Sequence, residues 1–115
     1  MTSAMDAALA AVWERSGEEL ERRIAALERA VAALLADDLG DALRTSAHSD
    51  AHKLAGSLGM FGLATGSQLA HEVQQQLAGT DALPPSEVPR LAQLVASLRE
   101  QYDVHSDGRS AVDGE

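Results

Sequence analysis

Cysteine is absent from this sequence, which removes disulfide bonding, thiolate metal ligation and thiol nucleophiles together. Aromatic residues make up only 3%, so any core must be built from Leu, Ala and Val. Lysine occurs once, as Lys53. No apolar run approaches the roughly 18 residues of a membrane-crossing helix, and the N-terminus lacks a charged region followed by an apolar one. A cytoplasmic protein without a membrane segment is therefore expected. Positive charge is scarce, and the formal net charge of −9 argues against nucleic acid or an anionic membrane surface as partner.

The 115 residues suffice for one domain with a modest core, and 45% of them are apolar with little β-branched content, which favours helices. Residues 4–15 predict a short first helix with Met5, Leu9, Val12 and Trp13 on one side. Ser16-Gly17-Glu18-Glu19 then has the form of a capping box, which would begin a second helix over about 17–36 with the stripe Leu20, Ile24, Leu27, Val31, Leu34 and Leu35. Its outer charges, Glu21, Arg22, Glu28 and Arg29, predict a solvated face. Asp37 to Asp41 breaks the pattern, with Asp41 a candidate N-cap for a third helix over about 42–60.

A fourth helix is predicted at about 63–78, with Leu63, Leu69, Ala70, Val73 and Leu77 inward and Gly79 as its stop. After a loop from Thr80 to Pro85, a fifth repeats the spacing at Val88, Leu91, Val95, Leu98 and Tyr102. The expected fold is all-α: an up-down-up-down four-helix bundle with a short additional N-terminal helix. The domain would span 4–102, with 103–115 a flexible tail that has lost periodicity.

The third helix carries the unusual chemistry. Its apolar stripe is Leu43, Ala47, Ala51, Leu54, Leu58 and Phe61, and His52 points roughly 150° away from the centre of that stripe. Gly56 follows one turn later on the same outer side, with Gly59 nearby. A glycine inside a helix costs about 1 kcal/mol relative to alanine, so stability does not explain it. An imidazole beside bare backbone lets another macromolecule approach the ring closely. As a residue type, histidine is largely neutral and nucleophilic at pH 7.

Other chemistries find less support. His48 and His52 stand four apart and could share a metal ion, but zinc sites usually take three or four protein ligands, and no metal is expected. His71 and His105 are expected to be ordinary surface residues. The glycines of 56–66 lack the Gly-Lys-Ser/Thr ending of a nucleotide loop, and no triad surrounds any serine or histidine.

The stretch His52-Lys53-Leu54-Ala55-Gly56-Ser57, followed by Leu58-Gly59-Met60-Phe61-Gly62, resembles the signature of the histidine-containing phosphotransfer (HPt) domains of multistep phosphorelays. The resemblance covers most of residues 10–102. It implies that His52 accepts a phosphoryl group from a receiver-domain aspartyl phosphate and passes it to another receiver. The chain would then be a phosphocarrier with no catalytic machinery of its own. Partners would be response-regulator receiver domains and a hybrid histidine kinase, with Mg²⁺ expected on the receiver only and no cofactor here. Gln74 matches the glutamine that many members place near the active imidazole. Members often carry a lysine at the position of Ala55, so Lys53 is the cation expected beside the phosphoryl group. His48, Ala55, Gly56 and Gly59 would form the docking surface. Receivers are commonly acidic, as this chain is, so docking would rest on apolar and polar contacts. The readings from other classes are a helical interaction module without phosphorylation, or a His48/His52 metal-binding bundle.

Overall fold

In the computed structural model, which describes residues 4–78 and 84–113, four helices form the chain. They are α1 (Ala4–Leu35), α2 (Asp41–Met60), α3 (Ala64–Gln76) and α4 (Val88–Asp113), with a single 3₁₀ turn at Pro85–Glu87 leading into α4. Side chains at 5, 6, 9, 10, 13, 85 and 106–113 are outside the description, so the inward placement expected of Met5, Leu9 and Trp13 lies beyond it, as do Gly79 and the loop to residue 83. Each helix packs on two others in a ring, α1 on α2, α2 on α3, α3 on α4 and α4 on α1. This is the expected all-α, up-down-up-down bundle.

The core takes Leu20, Ile24, Leu27 and Ala30 from α1, and Ala47, Ala51, Leu54 and Leu58 from α2. Ala70, Val73 and Leu77 come from α3 and its end, and Leu91, Leu94, Val95, Leu98 and Tyr102 from α4. Full burial of each large aliphatic side chain stabilises the fold by about 1.5–3 kcal/mol. Of the residues placed on stripes by their spacing, Val31, Leu34, Phe61, Leu63 and Leu69 are only partly buried against this core, and two large ones lie exposed outside it. Leu35 is 69% exposed and Leu43 37% exposed, because both sit at helix ends beyond the facing helices.

The break expected at Ser16 is not there. Residues 4–35 form one continuous helix of 32 residues, about 48 Å long at 1.5 Å per residue, nearly the full 51 Å extent of the molecule. The capping-box spacing is equally the i,i+3 spacing of a helix surface. Instead of turning back to Ser16, the Glu19 carboxylate pairs forward with Arg22 and Arg23. The Tyr102 hydroxyl donates to the Gly17 carbonyl at 3.1 Å, fastening α4 to α1 at this point. At the other end, α4 runs on to Asp113 through residues expected to be a tail. Backbone hydrogen bonding continues a helix without an apolar stripe to guide it.

Helix ends follow local chemistry more closely. Gly62 adopts φ +77°, its N–H donates to the Gly59 carbonyl at 3.0 Å, and the Leu63 N–H donates to Leu58 at 2.9 Å. These are the two bonds of a Schellman ending, with glycine at the left-handed position. The end of α1 uses the same pair, Asp37 N–H to Leu34 and Asp38 N–H to Ala33, with Asp37 at φ 54°. Asp41 is not the N-cap of α2. Gly40 holds that position without a side-chain cap, and Asp41 lies in the first turn, paired with Arg44.

Candidate phosphoacceptor site

His52 projects from the exposed side of α2, where its position opposite Ala51, Leu54 and Leu58 puts it. A Cβ added at Gly56 would meet nothing within 4 Å, so the surface next to the imidazole is open. This ridge of α2 has a groove on each flank.

The first groove lies between α1 and α2. His52, Lys53, Gly56, Ser57 and Met60 line one wall, and Ser16, Glu19, Leu20 and Arg23 the other. Arg23 crosses the helix boundary: its Nη1 donates to Asp50 at 2.8 Å, and its Nη2 lies 2.5 Å from Glu19 Oε1. Arg23 was not foreseen from the sequence. The signal was available, since Leu20, Arg23 and Leu27 are spaced three and four apart, which puts the arginine at the edge of the buried stripe.

The second groove lies between α2 and α3 and is lined by Ala55, Gly59, Gly62, Ala64, Ser67, Gln68 and His71. The Ser67 hydroxyl donates to the Ala55 carbonyl at 2.7 Å, and a Cβ at Gly59 would come within 3.3 Å of Ser67 Oγ. Gly59 thus differs from Gly56. It faces the neighbouring helix and serves close packing, so the small residues expected on one surface divide between two.

The remaining site residues are spread along the α2–α3 seam. His48 is half-buried one turn before His52. Gln74 is half-buried two turns after Ser67, and the antiparallel register fixed by Ala55 and Ser67 brings the turn from Ala70 to Gln74 level with His52. Among the described residues no hydrogen bond ties the Gln74 amide to either histidine. His71 is exposed, with Gln75 Nε2 3.3 Å from its Nε2. No group of three potential metal ligands converges among the described residues.

Charge is distributed unevenly around this seam. The α2–α3 hairpin, residues 41–76, contains Arg44 and Lys53 against Asp41, Asp50 and Glu72, a formal balance of −1, so −8 of the net charge of −9 belongs to the rest of the chain.

The family model of the Hpt domain matches residues 11–101, a span that holds both grooves, the whole of α2 and α3 and the greater part of α1 and α4. The chain belongs to the Hpt domain family. Hpt domains serve histidine phosphotransfer in phosphorelays and two-component signalling, and in that setting interact with receiver domains and histidine kinases. Protein RcaC of Microchaete diplosiphon is similar to this Hpt domain, 32% identical over 91 residues. The match covers 79% of this chain and 14% of that relative, so the chain spans a small part of its length. No solved structure gives a significant match. Among the described residues no helix of this Hpt domain is long and apolar enough to cross a membrane.

Proposed function

We propose that His52 is the phosphoryl acceptor, and that the domain takes the group from an aspartyl phosphate of one receiver domain and delivers it to an aspartate of another. The observation that carries this reading is the exposed imidazole beside open backbone at Gly56. A lone pair of one ring nitrogen attacks phosphorus. The P–N bond forms as the acyl P–O bond breaks, the aspartate leaves as its carboxylate, and the other ring nitrogen keeps its proton. Return to a second aspartate reverses these steps.

Such transfer is mostly positioning and charge stabilisation. The receiver would supply Mg²⁺ and most of the catalytic groups, and this chain needs no cofactor. Its own contribution is the nucleophile, the ammonium of Lys53 on the same groove wall, and an amide at Gln74 within reach of the seam. The receiver would dock over His48, Gly56 and the groove that Ala55 and Gly59 line. A hybrid histidine kinase would stand upstream, with the cytoplasm as the place of action.

The test is incubation with a phosphorylated receiver domain. The expected label is acid-labile and base-stable, the mark of phosphohistidine. His52→Gln should abolish it with the melting temperature nearly unchanged, while His48→Gln, His71→Gln and His105→Gln retain it. Full labelling of the His52→Gln variant overturns the assignment. A chain that binds the receiver without ever becoming labelled is an interaction module instead.

A further inference from the structure

Resting on His52 as acceptor, we propose that Arg23 of α1 is a second phosphoryl-binding cation, which holds a phosphoryl group on His52 from across the α1–α2 groove. Three observations converge on it. Arg23 and His52 line the same groove from opposite walls. The Arg23 side chain is only 19% exposed, so its guanidinium is already positioned, whereas Lys53 is an exposed residue on a flexible stem. Position 55, one turn beyond His52, is an alanine and brings no charge of its own.

The hydrogen bonds of Arg23 show how it would accept the group without leaving a partner stranded. Nη1 is held by Asp50, which anchors the fork to α2 two residues before His52. Nη2 is held by Glu19 Oε1, while Glu19 Oε2 is already paired with Arg22. Nη2 can therefore exchange Glu19 for a phosphoryl oxygen, with Glu19 still neutralised by Arg22 and Asp50 still holding Nη1. A phosphoryl group carries about −1.5 to −2 charge at pH 7, more than the carboxylate it displaces, so the exchange is electrostatically favourable. The planar fork also suits phosphate oxygens better than a point charge does.

Phosphoramidate, a small donor that needs no receiver, allows the full chain to be tested by itself. The wild-type chain, Arg23→Gln, Arg23→Lys and Asp50→Asn are each labelled, and the phosphohistidine lifetime and the pH titration of its phosphorus resonance are followed by ³¹P NMR. Arg23→Gln should shorten the lifetime by roughly threefold to tenfold and raise the phosphoryl pKa. Arg23→Lys should fall between. Asp50→Asn removes the same inter-helix ion pair but leaves the guanidinium in the groove, so it should lower the melting temperature without raising the phosphoryl pKa. Equal lifetimes and phosphorus titrations in the wild-type chain and Arg23→Gln overturn the proposal, and so do equal values in Arg23→Met should Arg23→Gln fail to fold. Failure of the wild-type chain to label at His52 would instead overturn the acceptor assignment.

Discussion

The α1–α4 and α2–α3 halves of the bundle are held together by different means. Across α1–α4, large aliphatic side chains are reinforced by polar fasteners. Arg99 donates to Glu28 at 2.8 Å and to Glu21 at 2.5 Å, and Tyr102 reaches Gly17. The hydrogen bonds to Glu28 and then Glu21 push the Arg99 pKa further above its already high ordinary value. Across α2–α3, four of the seven buried residues on the two helices are small: Ala47, Ala51, Gly66 and Ala70. One hydroxyl bond, Ser67 to Ala55, joins the helices, and no ion pair between them is found among the described residues. Close backbone approach replaces charge as the fastener. The α2–α3 contact is thus made without ion pairs, and the half that carries His52 is tied to the scaffold half by Arg23 to Asp50 and Arg90 to Glu72.

If that division is real, the two halves should fail differently. The largest effect is expected at Gly66, where an added Cβ already meets Leu58 Cδ1 at 3.3 Å. Gly66→Leu should cost about 1–3 kcal/mol by overpacking, read as a shift in urea midpoint at any salt concentration. Next comes Arg99→Met, which leaves Glu21 and Glu28 facing each other without their cation. A loss of about 1–2 kcal/mol is expected, shrinking as salt is added. A raised pKa gives stability below the unfolded value that is lost only as pH rises through the folded one. For Arg99 both lie above the working range, so its own titration adds no pH dependence between pH 5 and 9.

Tyr102→Phe removes the neutral hydrogen bond to the Gly17 carbonyl. It should cost about 1 kcal/mol, roughly 4 °C in melting temperature for a domain of this size. The smallest change has the opposite sign. Gly56→Ala meets open space and should stabilise by up to about 1 kcal/mol, whereas Gly56→Glu should keep the fold and slow phosphoryl transfer. Unfolding of Gly56→Glu would mean that the ridge is not a free surface.

Most of the bundle was legible because its stripes are long. Leu20 to Leu27, Ala47 to Leu58 and Leu91 to Tyr102 all turned inward as their spacing predicts. The outward face of His52 and Gly56 followed from the same phase. Ser16 misled because one spacing serves both a helix start and a helix surface, and only tertiary contact, Tyr102 on Gly17, shows which applies. That Gly59 meets Ser67 of α3 while Gly56 meets open space could not be read either, since glycine leaves no apolar mark on a stripe. Arg23 and Asp50 stand 27 positions apart, and nothing local pairs them before α1 and α2 are packed.

The α2–α3 hairpin carries a formal −1 and the rest of the chain −8, which makes the domain electrically lopsided. The molecule is 20 Å across. At physiological ionic strength the screening length is about 8 Å, so an acidic receiver docked on the hairpin scarcely feels the far side. At 0.01 M salt that length grows to about 30 Å, longer than the domain is thick, and the distant anions begin to repel. Adding salt should therefore speed the encounter of two acidic proteins here, the reverse of ordinary electrostatic steering, and the gain should level off once the screening length falls below the width of the bundle.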